Sequence, residues 1–400
     1  MKNILSFLLM NVVLLICTTP SSADSYYSSQ GLGIPSYYIS AQAVGMGGAG
    51  IGVRQYLALN ELNPGACDLK GFSSVAVGFQ GEYVTHFIGD HSQSSISANA
   101  AGFRFAVPIA KQRFALLVAL KPKVNSELSM EFENFSDQFQ AIRTLNSKGG
   151  LNTASIGGNF AITKKLAVGL MMDFNFGAYR ETWVTDFDDD TYLSSSDEIT
   201  SHLWGKGLQL GLFAQPASFL SLGAVLSTSS SLKGETTTRT KSGKEIDPLR
   251  QDMNYPLSAG VGAALTLPKF LMAVDFYMQD WDQFEIDGKN AENVGDFWRL
   301  SLGGEYLDSK EYLTTYSRRI AYRIGASYAK LPAVDQYGEQ TAEILGSVGF
   351  GFPFNKNAGR LDLAFEVGKR SSSPLFLYSE NLYRLSISIT NAEKWFQRSF

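Results

Sequence analysis

Fourteen segments with period-two alternation run along this chain from about Ser73 to Thr390, and the gaps between them alternate long and short. In the clearest segment, Leu361, Leu363, Phe365 and Val367 share one parity, while Asp362, Ala364, Glu366 and Gly368 hold the other. Successive side chains of a strand point to opposite faces, so one face of this strand is oily and the other carries carboxylates. In a soluble sandwich the oily face meets a second sheet. In a membrane barrel it meets lipid, and the charged face lines a wet interior. The N-terminus and the connections between segments decide which.

Residues 1–23 read as a secretory signal. Lys2 is the basic start, Ile4 to Ile16 is an apolar run, and Ser21-Ser22-Ala23 supplies the small residues of a cleavage site. The run is too short for a spanning helix, which needs about 20 apolar residues, and no later stretch is long enough either. Mean hydropathy is -0.05, which suits a barrel because half of its strand residues face water. Without the signal one cysteine remains, Cys67, read as a small buried residue with no disulfide partner. The formal net charge of -4 becomes -5 once Lys2 leaves, which argues against a nucleic-acid partner.

The connections carry the second signal. Ala110-Lys111, Thr163-Lys164, Gln215-Pro216-Ala217 and Leu267-Pro268-Lys269 mark tight turns, and long polar gaps are expected at 125–149, 183–202 and 231–253. Short turns on one rim and long loops on the other are the habit of outer-membrane barrels, and closure removes the edges a long sheet exposes. Tyr83, Phe87, Trp183, Trp204, Trp281 and Trp298 fall near strand ends, where aromatic girdles meet the membrane interfaces. The expected fold is an all-β, 14-stranded antiparallel transmembrane β-barrel over 73–392, with a periplasmic tail at 393–400.

Residues 24–72 lack sustained alternation. The glycines of AVGMGGAGIGV, Gly45, Gly47, Gly48 and Gly50 among them, make a regular helix costly and permit tight irregular backbone. Asn63-Pro64-Gly65 is a turn signal. Ten charges of both signs lie on the non-lipid parity: Glu82, Arg104, Asp173, Asp275, Arg299, Glu305, Arg323, Asp362, Glu366 and Arg384. A barrel filled by polypeptide needs such charges to pair with one another and with the filling backbone. With about 50 irregular residues ahead of the first strand, 24–72 is expected to be a plug inside the barrel.

Catalytic and metal signatures are missing. His86, His91 and His202 fall in or near expected outer loops without zinc spacing, and no HExxH, CxxC or GxSxG occurs. The acidic run Asp186 to Asp190 lacks the glycine and terminal glutamate of an EF-hand loop and reads as a solvated face, with cation bridging to lipopolysaccharide as the minor alternative. No cofactor, no metal and no enzyme activity are expected.

These features resemble the FadL-like outer-membrane transport family. The resemblance rests on AVGMGGAGIGV followed by ALNELNPGA, on the strand count, and on YRIGASYAKLPAVDQYG followed by SVGFGFPF. Gly65 stands where that family usually carries Ala after Asn-Pro, and the chain ends KWFQRSF, past the last alternating strand. The resemblance implies a bacterial outer-membrane barrel closed by an N-terminal hatch containing Gly45, Gly47, Gly48, Gly50, Asn63 and Pro64. It implies passage of hydrophobic small molecules such as long-chain fatty acids. Capture is expected in an apolar groove on loop 125–149 built from Leu128, Met130, Phe132, Phe135 and Phe139, followed by hatch movement. Expected partners are the solute, outer-membrane lipid and lipopolysaccharide, with the protein a monomer. PorV-like relatives, which serve in secretion, are similar at the hatch start and imply a barrel with no small-molecule substrate.

Overall fold

Exposure follows parity through the middle of the wall strands. Between Leu166 and Phe187, the side chains of Leu170, Met172, Phe174 and Phe176 are exposed while Met171, Asp173 and Asn175 are buried. On the segment Gly359–Ser371, Phe365 and Val367 are exposed and Asp362, Ala364 and Glu366 are buried. The wall is one sheet thick, so the exposed apolar parity is its outer face.

The computed structural model describes residues 25–29, 32–37, 40–55, 57–67, 71–110, 113–136, 139–188, 193–240, 245–291 and 294–394. The proposed signal (1–23), most of the tail and the acidic positions Asp189 and Asp190 lie outside them. Fourteen antiparallel strands form the wall: β1 (Ser73–Ile88), β2 (His91–Ala110), β3 (Phe114–Ser136), β4 (Phe139–Ala161), β5 (Leu166–Phe187), β6 (Ser195–Ala217), β7 (Leu220–Ser227 continuing as Ser230–Thr240), β8 (Glu245–Tyr255 continuing as Ser258–Thr266), β9 (Phe270–Gln279), β10 (Phe297–Tyr306), β11 (Ala321–Val334), β12 (Gln340–Phe354), β13 (Gly359–Ser371) and β14 (Tyr378–Glu393). Each pairs with its neighbour, and β14 pairs with β1 from Tyr378↔Ile88 to Glu393↔Ser73, closing the sheet. No described helix is long and apolar enough to cross a membrane. In a barrel the strands do so, because pairing between neighbours around the closed sheet satisfies the backbone where the ladders run.

Three expected loops are corrected. Residues 125–136 and 139–149 are the far halves of β3 and β4, paired out to Ser136↔Phe139. Residues 183–202 largely continue β5 and β6, with Thr185↔Ser195 the last pair, and 231–253 largely continue β7 and β8. These stretches look like loops because they carry polar residues on both parities, yet ladder pairing satisfies their backbone better than irregular chain does. The strands therefore overhang on the rim opposite the chain ends. On the rim that carries the ends, the 307–320 connection is longer than its neighbours and holds a 3-10 turn, Tyr316–Arg319.

Outward rings form two bands. Trp298 lies 5.4 Å from Tyr328 and 6.3 Å from Phe276 toward one rim. Tyr306 lies 5.0 Å from Phe270 and 6.5 Å from Tyr322 toward the other. Trp281 departs from the girdle expectation: it is fully buried, 5.3 Å from Phe284 and 5.7 Å from Tyr255, because the connection after β9 turns inward.

The N-terminal segment is seated among inward-facing positions. Helix α1 (Ala41–Gly45) is capped by Ser40, whose Oγ accepts from the Ala43 amide, and it packs Ala41 and Val44 toward Ala364. Beyond it the backbone presses on wall glycines that the registers place opposite one another, Gly169↔Gly211, Gly223↔Gly262 and Gly303↔Gly325. A Cβ on Gly325 would stand 2.1 Å from the Gly47 nitrogen, one on Gly303 2.3 Å from the Met46 oxygen, and one on Gly223 2.0 Å from the Ile51 oxygen. Gly47 itself has φ +65, a conformation that side-chain-bearing residues rarely adopt.

Two outcomes follow. Leu363→Arg, on the lipid face, should cost about 2–4 kcal/mol in reversible folding into lipid vesicles if it lies near the midplane. Gly325→Val should leave heat-modifiable gel mobility intact while opening residues 40–67 to added protease, at a cost of about 1–3 kcal/mol.

Candidate solute path and inner charge network

Strands β2 and β3 share a ladder only from Ala110↔Phe114 to Phe103↔Leu120. Past that point β2 continues beside β1 and β3 beside β4, with no described pairing between them. The wall is thus unzipped over the half nearer the overhanging rim. The N-terminal segment bonds to the free edge of β3: Ile34 and Pro35 pair with Asn125 and Val124, and the Ser36 amide donates to the Lys123 oxygen at 2.9 Å. Further out, the Ser25 amide donates to the Glu127 oxygen at 3.0 Å, and Ser25 Oγ donates to Glu380 at 2.6 Å on β14. Residues 25–36 therefore link β3 to β14 past the break.

Of the expected hatch residues, Gly50 donates its amide to Asp275 Oδ2 at 2.6 Å, beside Ile51 at 2.7 Å. Gly47 donates to Ser347 Oγ at 3.1 Å, Gly45 lies over the Arg323 side chain, and Gly48 closes the turn by donating to the Ala43 oxygen. Asn63 spans segment and wall, its Nδ2 donating to the oxygens of Ile51 and Leu212 at 2.9 and 2.8 Å. Pro64 leaves its oxygen to accept from Asn159 Nδ2 at 2.8 Å. Among the described residues these amides meet Asp275 and Ser347. Arg323 is taken up by carboxylates of the wall.

The inward charges form three groups. Arg323 pairs with Glu305 and Asp362, both at 2.7 Å. Arg384 pairs with Glu82 and reaches Glu343 at 3.4 Å and Glu366 at 4.0 Å, while Arg299 lies 3.4 Å from Glu343. Arg104 pairs at 2.6 Å with Glu61 of the N-terminal segment, and Asp173 accepts from Ser155 at 2.6 Å. Removing one partner of such a buried pair strands the other, which typically costs about 3–5 kcal/mol. The sequence reading missed Glu61, Glu343, Arg370 and Glu380. Arg370 bridges Glu343 and Glu380 at 2.7 and 2.6 Å, and all three continue the inward parity of strands already identified. His86, expected in a loop, is buried on β1, 3.0 Å from the Tyr378 hydroxyl.

The expected loop groove is corrected with the loop. Leu128 is buried and Met130 half-buried on β3, and the side chains of Phe132, Phe135 and Phe139 lie outside the described residues. Apolar packing occurs instead in the lumen, where Trp281, Phe284 and Phe297 meet Leu32, Val124, Leu151 and Leu232. Two interior cavities are small. One of about 70 Å³ touches Tyr37, Glu61, Lys123, Asp173 and Tyr277. Another of about 130 Å³ touches Glu82, Arg299, Glu343, Arg370 and Arg384. A third, about 460 Å³, opens at the rim carrying the chain ends.

Solved structures share this architecture. A Pseudomonas aeruginosa FadL homologue superposes with a TM-score of 0.63 at 11% identity, over 90% of this chain and 99% of that one. The Ralstonia pickettii toluene transporter TbuX gives 0.58 at 14%, over 89% and 98%. The monoaromatic hydrocarbon channel CymD gives 0.57 at 17%, over 90% and 99%. At these identities the likeness is one of fold: a FadL-type barrel, whose apolar outer face belongs in the bacterial outer membrane. No curated protein matches the sequence. The BamG family model matches residues 1–399, and with nearly its whole length covered the chain belongs to the BamG family.

Proposed function

We propose that this barrel passes a hydrophobic small molecule across the outer membrane along a path that its N-terminal segment closes. The observation that carries the reading is the unzipped seam between β2 and β3 above Phe103 and Leu120, with Ile34–Pro35 bonded to the free edge. A solute that partitions into lipid can leave or enter a barrel sideways only where the ladder is open. The FadL homologue and the channels for toluene and monoaromatic hydrocarbons lend the same fold to this reading. The segment, residues 24–72, acts as the hatch. It is held by many modest polar bonds, each worth about 0.5–1.5 kcal/mol net, so it can shift while the ladders stay whole. Long-chain fatty acids and small aromatic hydrocarbons are the candidate solutes. No covalent step is required, and the protein acts as a monomer.

A second reading is favoured by the cavities. Ligand pockets usually measure about 300–1,000 Å³, and the two interior cavities are smaller and lined by charges. A barrel filled in this way suits a structural or secretion-associated role without a solute.

Two measurements separate the readings. Deleting residues 24–66 should leave the barrel folded, raise its ion conductance in planar bilayers and speed uptake of radiolabelled oleate or toluene by cells. Conductance that stays at the intact level would deny the segment its hatch role, and uptake that never depends on the barrel would favour the second reading. Asp275→Ala, which removes the acceptor of the Gly50 and Ile51 amides, should raise conductance partway toward the deletion while heat-modifiable mobility is kept.

A further inference from the structure

From the cavity at the rim of the chain ends we infer a docking pocket for an acidic, extended peptide segment of a periplasmic protein. This goes beyond the transport reading and does not rest on it. The cavity, of about 460 Å³, is roofed by Val53, Arg54 and Leu57 of the N-terminal segment. Its sides come from four separate rim connections, at Ser218, Leu267–Lys269, Leu307–Lys310 and Asn357, so its mouth faces along the barrel axis. That rim is the periplasmic one in outer-membrane barrels, where turns are short.

Charge selects the partner. Arg54, Lys269, Lys310, Arg319 and Arg360 line the cavity against one carboxylate, Glu305. Adding the charged neighbours Arg318, Arg323, Asp308, Glu311 and Asp362 makes seven cations against four carboxylates, so the excess survives the internal pairs. Apolar anchors sit among the cations: Arg54 stacks 4.9 Å over the buried Phe213 ring, and Leu57, Leu271 and Leu307 complete the lining.

The long connection gives the pocket a built lip. Asp308 clamps Lys269 and Arg318 together, the Ser309 amide donates to the Arg318 oxygen at 2.8 Å, and Asn357 Nδ2 donates to the Lys310 oxygen at 3.0 Å. Hydrogen bonds from Arg318 and then Lys269 hold the Asp308 carboxyl down to about 2, so the clamp keeps its charge above that pH and loses it only as pH falls through that value. Arg319 stacks on Tyr312 and Tyr316 at 5.2 and 5.0 Å, and its Nε has no hydrogen-bond partner among the described residues. Leu313 is 93% exposed at the tip. An ordered lip with Leu313 and Lys310 exposed is shaped for contact with another chain.

The test uses the purified full chain in detergent micelles and a fluorescein-labelled octapeptide alternating aspartate or glutamate with phenylalanine or leucine. Its counterpart carries lysine in place of each acid. Anisotropy should show binding of the acidic peptide, weakened by salt, and none of the lysine peptide. Lys310→Glu combined with Arg319→Glu should weaken binding about tenfold, and Lys310→Gln, which leaves the Arg319 contacts alone, about twofold to threefold. Benzophenone placed at Ser309 should cross-link the acidic peptide. Heat-modifiable mobility confirms that each variant is folded. Equal binding of the two peptides, absence of binding, or variants that bind as the parent does would overturn the inference. Displacement of the peptide by an equal concentration of soluble phosphatidylglycerol would overturn it too, and assign the pocket to lipid.

Discussion

Backbone pressed on backbone is the contact from which the interior is built. The N-terminal segment can approach the wall because the wall carries no side chains there: Gly169, Gly211, Gly223, Gly262, Gly303 and Gly325 stand at inward positions on six strands. Close approach brings the segment's amides and carbonyls within reach of Asp275, Asn159, Ser221 and Ser347. Those bonds fix the segment's path, and the path decides which inward charges meet it and which meet each other. Glu61 is carried to Arg104 by this route, close to where the β2–β3 ladder ends. The ion pair couples the segment to the seam.

The lumen has two chemistries side by side. Toward the overhanging rim, Trp281 and Phe284 fold inward onto Leu32 and the inner faces of several strands. Beside them, on β10 to β14, run the arginine and glutamate clusters, from Arg370 near the same rim down to Arg323. Ion pairs buried this well add little net stability, because desolvation offsets their attraction, yet they tolerate few alternatives. They tie β10 to β14 together across the inner face of the wall.

Much of this was legible in parity. The outward faces at Leu170, Met172, Phe365 and Leu385, and the inward placement of Arg104, Asp173, Arg299, Arg323, Asp362 and Glu366, follow from period two alone. The far halves of β3 to β8 were not legible, since stretches such as Asn125 to Glu131 carry polar residues on both parities and apolar alternation fades. The inward glycines carried a readable signal: glycine at the parity opposite a run such as Leu208, Leu210 and Leu212 marks a place where something approaches the wall. The pairing of Glu61 with Arg104, and the inward turn of Trp281, depend on contacts between distant segments that no local pattern encodes.

The bond from Ser25 to Glu380 spans 355 residues, and Tyr27 meets Tyr378 across nearly the same stretch. Ser25 and Tyr27 thus find these partners only when the last strand has arrived. Loop-closure entropy on that scale places these contacts late in folding, and chains dominated by such distant contacts fold slowly. Until then the free edge of β3 from Lys121 onward has neither wall nor segment beside it. An uncovered edge of that kind pairs readily with other chains. The barrel's most exposed moment is therefore the interval between insertion of its wall and arrival of its own N-terminus.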